Sequence, residues 1–115
     1  MKKLIAFPLV ASLCVLATAA PAVTVDNAAM LTVETDGSEW LSYDRTWSQQ
    51  RFSPLQQINT GNVDQLGLAW SIDLDNTRGL EATPLYHDGV LYTSLSWSRV
   101  MAVDAENGSI LWSYD

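Results

Sequence analysis

Thiols are almost missing from this chain: the only cysteine among 115 residues is Cys14, inside an apolar run near the N-terminus. Removal of that run leaves no thiol, so no internal disulfide can staple the remainder, even in an oxidising compartment. Histidine is equally scarce. His87 stands alone beside Asp88-Gly89, with no acid, cysteine or second histidine at metal-ligand spacing, and reads as a surface residue of a hairpin. Positive charge is thin as well, with six Lys and Arg against thirteen Asp and Glu. Without Lys2 and Lys3, four arginines (Arg45, Arg51, Arg78, Arg99) face the thirteen acids, a net of −9. That balance argues against a nucleic-acid or anionic-membrane partner. Also lacking are a Ser/His/Asp arrangement, a Walker loop and a zinc pattern.

What is present begins with a leader. Lys2 and Lys3 precede an uncharged apolar run, Leu4 to Ala17, and small residues follow. Ala17-Thr18-Ala19 and Ala20-Pro21-Ala22 each fit a cleavage site, so residues 1–22 read as a signal peptide cut after Ala19 or Ala22. The run is short for a membrane crossing of about 20 residues. The expectation is export to the periplasm, with no membrane span once the leader is gone.

Residues 23–66 read as an N-terminal arm. Val23 to Ser38 is polar and aperiodic, with room for a short helical piece. Trp40, Tyr43, Trp47 and Phe52 then come close together, and Pro54 closes the stretch. Neither helical nor alternating, it is expected to be a compact extended arm whose aromatics pack on the body, with ligand stacking as the alternative. Asn59-Thr60-Gly61-Asn62 is turn chemistry, and Val63 to Leu66 suits one helical turn capped by Asn62.

From residue 67 the pattern turns to strands. Leu68, Trp70, Ile72 and Leu74 alternate with Ala69, Ser71 and Asp73, which predicts a half-buried strand. Asp73 and Asp75 have oxygen-ligand spacing, but two acids fall short of the six to eight ligands of calcium and read as a solvated strand end. Four more strands are predicted at 83–87, 90–95, 99–104 and 109–114. Asp88-Gly89 is a two-residue hairpin turn, Ser96-Trp97-Ser98 a second turn, and Glu106-Asn107-Gly108 a third. Leu68-Ala69-Trp70-Ser71-Ile72-Asp73 is echoed by Ile110-Leu111-Trp112-Ser113-Tyr114-Asp115, with the tryptophans 42 residues apart. That spacing falls in the roughly 40 to 50 residue period of four-stranded propeller blades. One such sheet cannot bury both faces alone, so the chain reads as the beginning of a longer protein.

Two blocks carry a family resemblance. Ala102-Val103-Asp104-Ala105-Glu106-Asn107-Gly108-Ser109-Ile110-Leu111-Trp112 resembles the tryptophan-docking motif of quinoprotein propellers, with Asn107 in place of the usual Thr. Gln50-Arg51-Phe52-Ser53-Pro54-Leu55, Gln57-Ile58-Asn59, Asn62-Val63, Leu66, Ala69-Trp70 and Arg78-Gly79-Leu80-Glu81-Ala82-Thr83-Pro84-Leu85 resemble the N-terminal segment of pyrroloquinoline quinone (PQQ) dependent alcohol dehydrogenases. Within that family the likeness leans towards the ethanol and quinohaemoprotein types, and it runs from about Trp40 to Asp115.

The resemblance implies an all-β fold: the N-terminal arm, closing strand and truncated first blade of an eight-bladed propeller, with 67–115 as strand and blade. It implies PQQ as cofactor, with Glu81 as the residue that hydrogen-bonds it, and a calcium or lanthanide ion whose ligands lie beyond residue 115, as does the catalytic aspartate. No catalytic or metal-binding residue is assigned within this chain. The implied reaction is oxidation of a primary alcohol to an aldehyde, with a periplasmic acceptor such as a cytochrome c and, in a longer protein, haem c. Arg78 is placed to pair with Glu81 or to remain solvated. Trp97 reads as a packing residue, with the border of the cofactor pocket as the alternative. The competing reading is a non-catalytic propeller scaffold of the outer-membrane assembly type.

Overall fold

A computed structural model describes residues 24–75 and 78–115. The leader and its cleavage sites, Cys14 and the middle of the 75–79 loop lie outside the described residues.

The arm opens with helix α1, Asn27–Thr32, capped by Asp26, whose Oδ1 accepts from the Ala29 amide at 2.9 Å. A short helix needs that cap because its first amides have no carbonyl partner. Met30 and Val33 are buried, and beneath them the chain buries Arg45 and Thr46, both 2% exposed. The Arg45 guanidinium donates to the Val33 carbonyl. The aromatics of this stretch behave otherwise than expected. Trp40 is half-buried, whereas Tyr43, Trp47 and Phe52 are exposed. Left-handed backbone at Arg45, Gln49 and Arg51 folds the arm back on itself around the buried Arg45. Arg51 covers Tyr43 from outside, 4.9 Å above the ring, and pairs with Asp44. That carboxylate raises the guanidinium above its ordinary pKa.

Val63–Gln65 forms a single 3-10 turn where one helical turn was expected. Asn62 does not cap it: its Oδ1 accepts from the Asn59 amide at 2.8 Å and its Nδ2 donates to the Gln57 carbonyl at 2.7 Å. The amide side chain closes the turn behind it rather than the one ahead.

Four strands, β1 (Leu85–His87), β2 (Val90–Ser94), β3 (Val100–Asp104) and β4 (Ile110–Tyr114), form an antiparallel meander in chain order. Asp88 and Gly89 take φ of 46° and 78°, the doubly positive pair whose twist matches a two-residue hairpin. The third turn is built as its residues suggest. Asp104 Oδ1 accepts from the amides of Glu106 and Asn107 at 2.9 and 3.1 Å, and Asn107 Oδ1 accepts from Ser109 at 2.8 Å. A bulge between Ala102 and Val103 shifts the β3–β4 register.

Central strand β3 carries the core, with Met101, Ala102 and Val103 buried. Both faces of the sheet are engaged, because alternate residues point to opposite sides. Leu91, Thr93, Met101 and Val103 line one crevice with Trp70, Ile72, Leu74 and Pro84. On the other face Tyr92 meets Trp112, ring centroids 6.1 Å apart, and Tyr43 approaches from the arm.

The predicted strand from Leu68 to Leu74 is not a ladder strand here. Its alternation survives as burial, with Trp70, Ile72 and Leu74 half-buried and Ala69, Ser71 and Asp73 exposed, while Leu68 is 85% exposed. Side-chain packing on the sheet face holds the segment in place of backbone pairing, because among the described residues no neighbouring strand lies beside it.

Candidate functional site

The register of the β1–β2 hairpin builds a cleft at one end of the sheet. Leu85 pairs with Tyr92, so the chain entering β1 runs beside the chain leaving β2, and extending the register sets Glu81 opposite Ser96. The cleft between them has a volume of about 240 Å³ and is lined by Gly79, Leu80, Glu81 and Ala82 on one wall and Ser94, Leu95 and Ser96 on the other. Glu81 is exposed at this surface. Pro84 stands just before β1, where a missing amide breaks no ladder bond, and it ends the approach segment that carries the carboxylate.

Further along, the same two walls are tied together. The Arg78 guanidinium lies 4.5 Å from the centroid of the Trp97 ring, and Arg99 Nη2 donates to the Asp75 carbonyl at 3.3 Å. The second turn is tighter than a plain connection. Trp97 and Ser98 both hold left-handed backbone, φ 66° and 61°, and Trp97 is 78% exposed. The Asp75 backbone serves as a wall tie, while the Asp73 and Asp75 side chains remain at the surface.

His87 departs from its expected solitude. It is half-buried, and its Nδ1 lies 3.0 Å from Oε2 of Glu39, which also accepts from the Asp88 amide. Next to this pair, Trp40 and Tyr86 exchange two backbone hydrogen bonds of 3.0 and 2.9 Å. The arm is thereby clasped to the outer edge of β1. No sequence signal links Glu39 to a histidine 48 positions away, so this contact belongs to the fold alone. Among the described residues, no group of three or more His, Cys, Asp or Glu side chains is arranged to hold a metal ion.

Chemically, the cleft offers one carboxylate and neighbouring serines at an open surface, a set suited to hydrogen-bonding the polar edge of a flat ligand.

Comparison with known proteins agrees on one family. A family described as "Glucose/ethanol/alcohol dehydrogenase, beta-propeller domain" matches residues 40–115. Quinohemoprotein alcohol dehydrogenase ADH IIB of Pseudomonas putida is 62% identical over 112 residues, covering 94% of this chain and 16% of that protein. A 1-butanol dehydrogenase (cytochrome c) of Thauera butanivorans is 47% identical over 79 residues, 69% of this chain and 11% of its own length. Among solved structures, quinohemoprotein alcohol dehydrogenase ADHIIG of Pseudomonas putida superposes with a TM-score of 0.76 at 49% identity, over 79% of this chain and 13% of that one. The chain therefore spans about one sixth or less of the length of these relatives.

Proposed function

The chain belongs to the β-propeller family of PQQ-dependent glucose, ethanol and alcohol dehydrogenases, and on that premise we propose that it supplies the cofactor-gripping first blade of a periplasmic alcohol dehydrogenase. The observation that carries this reading is the position of Glu81: within the matched stretch, it lines an open cleft beside the start of β1. The whole protein would oxidise primary alcohols to aldehydes and pass electrons to a cytochrome c, as the name of the Thauera relative suggests for that enzyme.

The donor set fits the group. PQQ, when bound, would supply a quinone that takes up the alcohol's carbon-bound hydrogen as hydride, and with it both electrons, while the hydroxyl proton leaves to a base. The share of this chain is positional. Glu81 would accept a hydrogen bond from a polar cofactor edge, or donate one when protonated, from a wall that faces Ser94 and Ser96 across the cleft. A calcium or lanthanide ion, a catalytic base and any haem c would be held by residues outside this chain, which is rich in structure and poor in reacting groups.

The test is cofactor retention in protein expressed from a coding sequence that continues past Asp115. Glu81→Ala weakens PQQ binding at least tenfold, about 1.4 kcal/mol, read by quinone absorbance after gel filtration, while Glu81→Gln loses less. Unchanged retention in the alanine variant would remove Glu81 from the site. The 115-residue chain alone, given PQQ and calcium, shows no dye-linked alcohol oxidation; measurable turnover would overturn the division of labour proposed here.

A further inference from the structure

The turn between β3 and β4 carries a chemistry that the proposed function does not use. Of the five asparagines in the chain, Asn107 alone is followed by glycine. An Asn-Gly pair is prone to cyclise in an open chain, because glycine has no Cβ to hold its amide nitrogen away from the carboxamide beside it and moves more freely than any other residue. In the folded turn both reacting partners are held. The Gly108 amide donates to the Asp104 carbonyl at 2.9 Å, and Asn107 Oδ1 accepts from the Ser109 amide at 2.8 Å. The Asn107 amide is itself tied to Asp104 Oδ1 at 3.1 Å. Gly108 sits at a φ of 77° against the Trp70 indole, where a Cβ would come within 2.7 Å of the ring, so the glycine cannot swing without displacing it. All of these contacts lie within the chain, and any further covering of the turn adds to them.

We propose that Asn107 is a deamidation site that the fold keeps closed. In the open chain the Gly108 amide gives up its proton to a solvent base, its nitrogen bonds to Asn107 Cγ, and Nδ2 leaves as ammonia, giving a five-membered succinimide. Water then adds to one of the two ring carbonyls, and the bond from that carbonyl to nitrogen breaks. Cleavage at Cγ leaves aspartate; cleavage at the main-chain carbonyl leaves isoaspartate, with the backbone rerouted through the side chain. The sum is amide plus water to acid plus ammonia, and nothing is oxidised or reduced. The change is one-way in dilute solution, so each opening of the turn exposes the chain to a permanent lesion. Isoaspartate lengthens the main chain at residue 107 by one methylene. The bond from the Gly108 amide to Asp104 and the seat of Trp70 both depend on the original spacing. The new carboxylate also joins those of Asp104 and Glu106 in the same turn, which adds like-charge repulsion.

Peptide mapping of the 115-residue chain by mass spectrometry tests this, after incubation in mildly alkaline buffer with and without urea. In urea the peptide holding Asn107 gains the mass of an amide-to-acid exchange ahead of those holding Asn27, Asn59, Asn62 and Asn76, and it separates into aspartate and isoaspartate forms. In buffer alone the exchange is about tenfold slower or more, since only the open fraction of the turn reacts. Asp104→Ala, which removes the acceptor of the Glu106 and Asn107 amides, narrows that gap. Asn107→Thr abolishes the mass gain in both conditions. Wild-type chain aged in urea and returned to buffer unfolds at a lower urea concentration than fresh chain, and Asn107→Thr treated likewise does not. Failure of Asn107 to react first in urea would overturn the site. Equal rates with and without urea would overturn the protection, and a faster rate in buffer would mean that the Ser109 amide activates the carboxamide instead of holding it. None of these outcomes depends on PQQ or on Glu81.

Discussion

The indole of Trp70 lies directly on Gly108. A Cβ added to Gly108 would come within 2.7 Å of Trp70 Cδ2 and Cε3, and Trp70 Nε1 donates to the Ala105 carbonyl at 3.1 Å. The tryptophan that precedes the sheet is thus seated on the β3–β4 turn, 35 to 38 residues further along the chain. Its sequence counterpart, Trp112, is 47% exposed and makes its ring contact with Tyr92 instead.

Gly108→Ala is expected to destabilise the protein by roughly 2–4 kcal/mol, since it adds a clash with a rigid ring to a left-handed φ of 77°. Urea unfolding followed by tryptophan fluorescence should show a lower midpoint. A midpoint within error of wild type would mean that Trp70 does not sit on the turn in solution.

In the 115-residue chain, Trp70→Ala should cost more than Trp112→Ala. Trp70 packs on the sheet and donates a hydrogen bond, whereas half of the Trp112 surface stays in water. The difference is expected to be about 1–2 kcal/mol, measured by paired denaturation curves; the reverse order would contradict it.

Asp104→Ala removes the acceptor of two turn amides and should lower stability by about 1–2 kcal/mol. Asp104→Asn retains one side-chain acceptor oxygen and should lose less. Equal losses in the two variants would count against hydrogen bonding as the cause.

Breaking the clasp should free the arm without unfolding the sheet. Glu39→Gln weakens the His87 pair and costs little globally, about 1 kcal/mol or less for a part-exposed ion pair. Limited proteolysis is the sensitive measurement: cleavage within 41–66 should accelerate while the 85–114 core stays intact. Identical cleavage rates would show that the Trp40–Tyr86 bridge suffices.

One acid responds to pH in a defined direction. The backbone amide of Ser38, helped by its side chain, holds Asp36 below its ordinary value of 3.8. Its stabilising contribution is therefore present above pH 3.8 and is lost as pH falls through the lower folded-state value. An NMR titration should place the Asp36 midpoint below that of a model aspartate, and Ser38→Pro, which deletes the amide proton, should return it upward.

Much of the fold could be read directly from residue order. The Asp88-Gly89 hairpin, the Asp104 turn and all four strands arise within one to two residues of their expected bounds, because each rests on local chemistry: positive φ at a two-residue turn, a carboxylate over two amides, and runs of β-branched and aromatic residues. The short helix also appears, under the Asp26 cap. The Asn62 cap fails for an equally local reason, since its amide finds partners at Asn59 and Gln57 first.

Longer-range relationships were closed to that reading. Burial of Arg45, the pairing of His87 with Glu39 and the stacking of Arg78 on Trp97 join positions that no periodicity connects. The residue order by itself determined the four-strand meander, the repeat of Trp70 at Trp112 and the placing of Glu81 on the approach to β1. Only the tertiary structure decided which tryptophan is seated on a turn and which faces solvent, and that Glu81 shares its cleft with Ser94 and Ser96. The physical reason is that turn and strand preferences act between near neighbours, whereas burial and ion pairing depend on which distant segments the finished sheet brings within contact distance.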